Sequence, residues 1–161
     1  MKETRRYNTP CIGQCSTVFG DTVCRGCLRF VHEIIDWNRY GDDDKSIVWQ
    51  RLEQLVSQIV PQYVQVEDAQ GVDSAVLYYR LPYRSGNIWH NIYNLLRHAE
   101  RRHLSLDNCG FRLLPGYRIM DIQTHLYSLA DAYYERDFLR ATRMTTPEGS
   151  SDLFSKFPDA S

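Results

Sequence analysis

Four of the five cysteines of this 161-residue chain lie together near its start, in the segment CIGQCSTVFGDTVCRGC at residues 11–27. Their spacing is Cys11-x3-Cys15-x8-Cys24-x2-Cys27. Four thiolates form the complete ligand set of a tetrahedral structural zinc site. No ligand from elsewhere in the chain is needed, so the spacing predicts a metal site formed by these cysteines alone.

The connection between the two cysteine pairs predicts how they could meet. It carries Gly20-Asp21 at its centre, which favours a tight hairpin that brings the pairs together. Gly13 and Gly26 lie inside the pairs, where a tight turn needs a permissive backbone. A helix that begins near Cys27 would direct its free amides at the thiolates. A turn, a hairpin and a helix start around one ion predict a treble-clef-like zinc unit.

Two other kinds of cysteine chemistry remain open at this point. An iron–sulfur cluster also takes four cysteines, although the ferredoxin spacings differ from this one. Cys24-Arg25-Gly26-Cys27 has the arrangement of a redox dithiol at a helix start. The dithiol interpretation lacks a surrounding βαβ pattern and leaves Cys11 and Cys15 unexplained.

The cysteine segment has a family resemblance. PCIGQCSTVFGDTVCRGCLRFVHEIIDWN, followed by DDDKSIVWQRL, resembles the YdhL-like family of short bacterial cysteine-rich proteins, a domain of unknown function. The matching features are Pro10-Cys11-Ile12-Gly13, Cys15, Cys24-Arg25-Gly26-Cys27, Arg29, Glu33-Ile34, Trp37, Val48 and Leu52. The resemblance covers about residues 10–52 and implies a bacterial cytoplasmic protein whose four cysteines hold zinc or an iron–sulfur cluster.

Composition narrows the class of protein and of partner. With 43% hydrophobic residues the chain has the size of one domain, or of two small ones that share a core. Nineteen Lys and Arg against twenty Asp and Glu give a net charge of -1, so a nucleic-acid partner would need a local basic patch. No stretch approaches the roughly 20 apolar residues of a membrane span, and the polar start favours a cytoplasmic protein without a membrane partner.

Residues 1–61 are predicted to form the metal-binding helical domain. Apolar residues recur at helical spacing from Cys27 to about Asn38, and Gly41 is a plausible stop. Asp42, Asp43 and Asp44 can cap a second helix, which Pro61 ends. The apolar face of this second helix is predicted to contain Ile47, Val48, Leu52, Leu55, Val56 and Ile59.

Residues 62–144 are predicted to form a small α+β domain of unknown function. The pattern indicates a β-hairpin from residues 63–66 and 74–79, a helix over 87–104 and short extended pieces over 111–119. A long helix fits about 120–143. Residues 145–161 are rich in Thr, Pro, Gly, Ser and Asp and are predicted to be a flexible tail. The whole chain is therefore predicted to be α+β.

The segment at residues 87–104 offers a second candidate surface. Arg97, His98, Arg101 and Arg102 lie away from the apolar stripe of the predicted helix, where they could contact nucleic acid or another partner. An ordinary solvated helix face explains the same pattern. Phosphate loops, paired carboxylates and nucleophile motifs are absent from the sequence, which argues against an enzyme and supplies no catalytic residue.

These observations support two hypotheses of function. The first is a zinc-stapled bacterial adaptor or regulatory protein that acts through contacts with a protein or RNA partner. The second is an iron–sulfur protein for electron transfer or redox sensing. The sequence does not assign an oligomeric state.

Overall fold

The structure, a computed structural model, describes residues 9–139 and is α+β, as predicted, with helices predominating. The helices are α1 Val31–Asp36, α2 Asp42–Ile59, α3 Ala69–Tyr78, α4 Ile88–Arg102 and α5 Ile119–Tyr134. Strands β1 Val64–Val66 and β2 Phe111–Leu113 form an antiparallel pair, with Val64 opposite Leu113 and Val66 opposite Phe111. Among these residues no helix is long and apolar enough to cross a bilayer. The predicted tail lies outside the described residues.

The hydrophobic core lies between α2, α4 and α5, with α3 packed on α4. Most of its deeply buried side chains are aliphatic residues of the four longer helices: Leu55, Val56, Ile59, Val72, Val76, Ile92, Leu95, Leu96, Ile122 and Leu126. The cluster also includes Val23 and Phe30 from the cysteine segment. Apolar residues on both sides of residue 61 thus share one core, while the division into two domains at that point stays a prediction.

Side-chain oxygens define where three of the helices begin. The carboxylate of Asp44 accepts a hydrogen bond from the Gly41 amide at 3.1 Å, so the predicted acidic start of α2 is present. Asp68 caps α3 by accepting from the Gln70 amide, and Asn87 caps α4 by accepting from the His90 amide. These bonds satisfy backbone donors that a helix leaves free in its first turn.

The predicted β-hairpin is wrong in its second half. Residues 74–79 do not pair with 63–66, because Ala69–Tyr78 forms α3. Only Val72 and Val76 of that helix are buried, at the i, i+4 spacing that places them on one helical face. The partner of β1 is instead β2, more than forty residues further along the chain.

One helix, one core position and one extended segment also differ from the prediction. Helix α1 covers only Val31–Asp36, since residues 27–30 belong to the preceding turn. Ile47 is 65% exposed, because it lies about 100° around α2 from Val48 and further still from most of the other buried residues of that helix. Of the predicted pieces over 111–119, only Phe111–Leu113 is a strand.

Candidate cysteine site

Cys24 and Cys27 lie in a turn where the chain folds back on itself. The amide of Cys24 donates to the carbonyl of Arg29 at 2.9 Å, and the amide of Leu28 donates to the carbonyl of Cys24 at 2.7 Å. Val23 and Phe30 form an isolated antiparallel bridge that closes the loop. Both cysteines are buried, so this turn holds two thiols close together within the protein.

The segment that carries Cys11 and Cys15 packs directly on this turn. A Cβ atom added at Gly26 would lie 2.6 Å from the carbonyl oxygen of Gln14 and 3.2 Å from the side chain of Ile12. Only glycine therefore allows the two cysteine segments to approach so closely. The amide of Arg25 adds a hydrogen bond to the Ser16 hydroxyl at 2.9 Å.

The connection between the two pairs is not the predicted hairpin. Ser16–Phe19 forms a 3₁₀ turn that ends at Gly20, whose φ of 98° is left-handed. No strand pairing crosses this turn among residues 9–139. Val18 and Phe19 at its tip are 74% and 90% exposed. Without an apolar layer to cover these two side chains, alternation alone did not produce strands.

The environment of Cys24 favours its thiolate form. A hydrogen bond from the Cys27 thiol lowers the pKa of Cys24 to about 4 against the opposing effect of burial, and the amides of Cys27, Ser16 and Gly26 lower it further. The same bond to Cys24, together with burial, raises the pKa of Cys27. When protonated, the Cys24 thiol donates to the Gln14 carbonyl at 3.6 Å. These amides belong to the turn and to Ser16, not to a helix start as predicted, because α1 begins only at Val31.

The other three sulfur atoms each have a polar neighbour. The Nε of Arg29, a buried residue, donates to Cys27 Sγ at 3.3 Å, and its guanidinium stacks on Trp37. Cys11 Sγ accepts from the Gly13 amide at 3.3 Å, while Cys15 Sγ lies 2.9 Å from the Thr17 hydroxyl. N–H groups directed at sulfur stabilise thiolates, which are the form that binds metals.

The four cysteines supply the kind of ligand that a thiolate-bound metal needs, but their sulfur atoms are not grouped around one point. The thiols of Cys24 and Cys27 lie close enough to shift each other's pKa. In the part of the chain that the structure describes, no three His, Cys, Asp or Glu side chains form a group that could hold a metal ion. The structure therefore packs the two cysteine segments together, whereas the binding of a metal by the four cysteines stays a prediction.

A cavity of about 780 Å³ opens beside the cysteine segments. Its lining includes Cys15 and Phe19 from the first segment, Arg25 from the turn, and Tyr93, Arg97, Glu100 and Arg101 from α4. Arg25 is held by Asp21 at 3.2 Å and stacks on Tyr127. The Arg101 guanidinium covers Gly13, where an added Cβ atom would lie 3.2 Å from it. Three guanidinium groups and one carboxylate thus line this cavity.

The candidate residues of α4 have different environments. Arg97 is only 8% exposed, and its Nε has no hydrogen-bond partner within residues 9–139. Burial lowers the pKa of Arg97, an effect that nearby Tyr93, Cys27 and Cys11 oppose. His98 is half-buried, whereas Arg101 and Arg102 are exposed. The expected solvated face is therefore wrong for Arg97, and a contact of these residues with a partner stays a prediction.

The burial of this face follows from distant parts of the chain. His90 packs edge-on against Trp49 of α2, and the Asn94 amide donates to the Pro82 carbonyl at 2.7 Å. The backbone of Gly13 lies against the guanidinium of Arg101, which remains exposed. A helical wheel contains none of these neighbours, so the sequence offered no local signal for them.

A buried ion pair below the cysteine turn was also missed. Arg51 donates to the Glu33 carboxylate at 2.5 Å and to the Leu28 carbonyl at 3.3 Å. Glu33 accepts a further hydrogen bond from the Phe30 amide at 2.8 Å, and Arg51 stacks over the Phe30 ring. The only sequence signal was that Glu33 belongs to the resemblance. This pair fastens the cysteine turn to α2.

Comparison with known proteins bears on the cysteine segment alone. Neither the curated proteins nor the solved structures contain a match to this chain. A family model does match the N-terminal part of the chain. The match begins and ends close to the resemblance over about residues 10–52, and it includes the cysteine turn, α1 and most of α2. Residues 9–56, with all four clustered cysteines, match the model of a family described as protein of unknown function (DUF1289).

Proposed function

We propose that this protein is a bacterial cytoplasmic adaptor or regulatory binding protein whose N-terminal segment is stapled by zinc. Cys11, Cys15, Cys24 and Cys27 would hold the metal, and the YdhL-like resemblance implies the same residues. The observation that carries the proposal is the Cys24 thiol, which is set among three backbone amides while the Cys11–Cys15 segment packs on its turn. Bound zinc would supply folding free energy to this segment.

The contacts around the four thiols support this role. A cysteine must lose its proton to bind zinc, and the amides around Cys24 together with the Arg29 guanidinium at Cys27 favour that loss. The proposal adds to these observed contacts that all four sulfur atoms coordinate one ion. Gly13 and Gly20, both with left-handed backbones, flank Cys15 and allow its segment to adjust.

An iron–sulfur protein is the second candidate function. Four cysteine thiolates suit a cluster as well as they suit zinc, and hydrogen bonds to the sulfur atoms tune cluster potentials. The bond from Arg29 Nε to Cys27 Sγ is of that kind. In this case the protein would transfer electrons or sense redox state.

The binding role is supported by exposed groups beside the cysteines. Val18 and Phe19 form an apolar tip that is almost fully exposed, and exposed aromatic rings are enriched at interfaces. Arg101 lines the same cavity as Phe19 and adds positive charge beside this tip, while the half-buried His98 and the exposed Arg102 are its neighbours on α4. Both a protein and an RNA partner suit such a mixed surface.

The test is metal analysis with an absorption spectrum on protein purified without oxygen. About one equivalent of zinc without a visible band supports the adaptor. Iron with sulfide and a broad band near about 400 nm supports the iron–sulfur alternative. Protein that carries neither metal, and binds neither when reconstituted, contradicts both.

Replacing Cys24 with Ser provides the matching mutational test. We expect Cys24→Ser to release the metal and to lower the melting temperature, because a structural metal contributes to folding only when all its ligands are present. Cys109→Ser is the control, since Cys109 is equally buried but lies outside the cluster. A Cys24→Ser variant that keeps its metal and melts like the wild type would exclude the proposed ligand set.

A further inference from the structure

The cavity beside the cysteine segments contains two guanidinium groups that make no ion pair with a carboxylate of the described residues. Arg97 and Arg101 are one helical turn apart on α4, so both guanidinium groups project from the same side. Neither makes an ion pair within residues 9–139, although like charges at this spacing destabilise a helix unless an anion lies between them. Glu100 also lines the cavity but pairs with neither of them.

Arg97 is the residue that an anion would stabilise most, because its guanidinium is buried and incompletely hydrogen-bonded. It is more than nine-tenths buried, it lines the cavity, and its Nε lacks a hydrogen-bond partner in the described structure. A buried polar atom without a partner is costly, and a buried guanidinium more so, unless a ligand or water completes its bonds. Arginine presents its donors in a planar fork that matches the oxygens of phosphate.

An exposed aromatic ring, that of Phe19, also lines this cavity. Phe19 lines the opening and is 90% exposed, so its ring has a free face. Solvent-exposed aromatic rings beside guanidinium groups are where nucleobases stack. At about 780 Å³ the cavity has the volume of a small-molecule site.

We propose that this cavity binds a nucleotide, with its phosphate on Arg97 and Arg101 and its base on Phe19. The proposal deepens the binding role put forward above. The same chemistry comes from two sources, a free nucleotide or one nucleotide unit of single-stranded RNA. Arg25 contributes less, because Asp21 already neutralises it.

The test is calorimetric titration of the full chain with inorganic phosphate, AMP and an eight-residue oligouridylate. We expect Arg101→Gln to weaken AMP and phosphate by about tenfold or more, since it removes a charge-assisted hydrogen bond. Arg39→Gln is the matched control and should change affinity by less than about twofold. Its side chain is exposed, pairs with Asp36 at 3.5 Å and does not line the cavity.

A second pair of variants tests the base contact. Phe19→Ala should weaken AMP about tenfold and leave phosphate unchanged, because stacking on an aromatic ring involves only the base. Tyr78→Ala is its control, because Tyr78 is also an exposed aromatic residue, at 80%, and does not line the cavity. Tighter binding of the oligouridylate, with a steeper dependence on salt, would identify RNA as the source, whereas equal or weaker binding would identify a free nucleotide.

Two results would overturn the nucleotide site. One is no heat from any of the three probes at about 1 mM. The other is binding that Arg101→Gln and Phe19→Ala leave unchanged. Metal content is measured on the same samples, which separates the two proposals. Protein that contains the metal but binds none of the three probes would contradict the nucleotide proposal alone. Protein that lacks the metal but binds AMP would contradict the zinc proposal alone.

Discussion

At the scale of single residues, the cysteine turn depends on charges that are buried and paired. Glu33 is about 8% exposed in its side chain and Arg51 about 15%, and together they join the turn to α2. Arg51 also donates to the Leu28 carbonyl, at a residue with the left-handed φ of 61°. A side chain from α2 thus holds the turn in a conformation that leucine rarely adopts.

Breaking this pair should destabilise the protein more than breaking an exposed one. Glu33→Gln keeps an acceptor for the Phe30 amide but leaves Arg51 buried without a counter-charge, which costs about 3 kcal/mol of unfolding free energy. Asp36→Asn is the control on the same helix, because its partner Arg39 is exposed and the loss should be below about 0.5 kcal/mol. Urea unfolding measures both, and equal losses would refute a special role for the Glu33–Arg51 pair.

At the scale of elements, the start of α3 is fixed by a close approach of two backbones. The Gly110 carbonyl accepts hydrogen bonds from the Glu67 and Asp68 amides at 2.8 and 2.9 Å. An added Cβ at Gly110 would lie 2.1 Å from the Asp68 carbonyl oxygen and 2.8 Å from the Val72 amide. The segment that leads into β2 therefore sits directly on the first turn of α3.

A pair of glycine substitutions separates this contact from backbone strain. Gly110 and Gly86 both have left-handed φ, of 81° and 79°, but an added Cβ at Gly86 meets nothing within 4 Å. Gly86→Ala should cost about 1 kcal/mol from strain alone. Gly110→Ala should cost about 3 kcal/mol or more, because backbone atoms must move. Thermal unfolding compares them, and similar melting temperatures would contradict the steric explanation.

The sequence predicted the elements that carry their own local signal. Asp42–Ile59 and Ile88–Arg102 show helical periodicity and caps, so α2 and α4 were predicted almost to the residue. The pairing of β1 with β2 has no such signal, because the contact between Val64 and Leu113 joins distant residues. Residues 74–79 contain alternating and helical spacings together, and the cap at Asp68 decides between them.

The candidate site also has a part that the sequence predicted and a part that it did not. Spacing indicated the four cysteines, and the structure packs their two segments together. The cavity could not be predicted, since Phe19, Arg25 and Arg97 meet only after the chain has folded around α4. The burial of Arg97 likewise depends on neighbours that are distant along the chain.

At the scale of the whole molecule, α4 is the helix on which the other parts converge. Helices α2 and α3 pack on it, and the cysteine segment reaches it through Gly13 and Arg101. Because α4 is packed against other parts of the chain on several sides, some of its polar side chains are buried. His90 is 3% exposed, and neither of its ring nitrogens has a hydrogen-bond partner among the described residues.

The buried histidine should make the protein acid-sensitive. Burial, with smaller effects of Arg97 and Arg84, lowers the pKa of His90 to about 3. The unfolded chain therefore takes up a proton below about pH 6.5 that the folded chain does not, so stability falls as pH falls from 6.5 towards 3. Between pH 6.5 and 5 the expected loss is about 2 kcal/mol from this residue.

Denaturant unfolding at several pH values measures the effect. His90→Leu should make the profile between pH 6.5 and 5 less steep than that of the wild type. Parallel profiles for the wild type and His90→Leu would show that His90 is not the group responsible.

The position of α2 limits how the family-matched segment can be exchanged between proteins. That segment ends at residue 56, inside α2, and the buried face of this helix packs on α4 and α5, which lie outside the match. Moved by recombination into another chain, the segment would leave Leu55 and Val56 facing water unless the new host supplied an equivalent apolar surface. Inheritance of the cysteine cluster is thereby tied to inheritance of a complementary pair of helices.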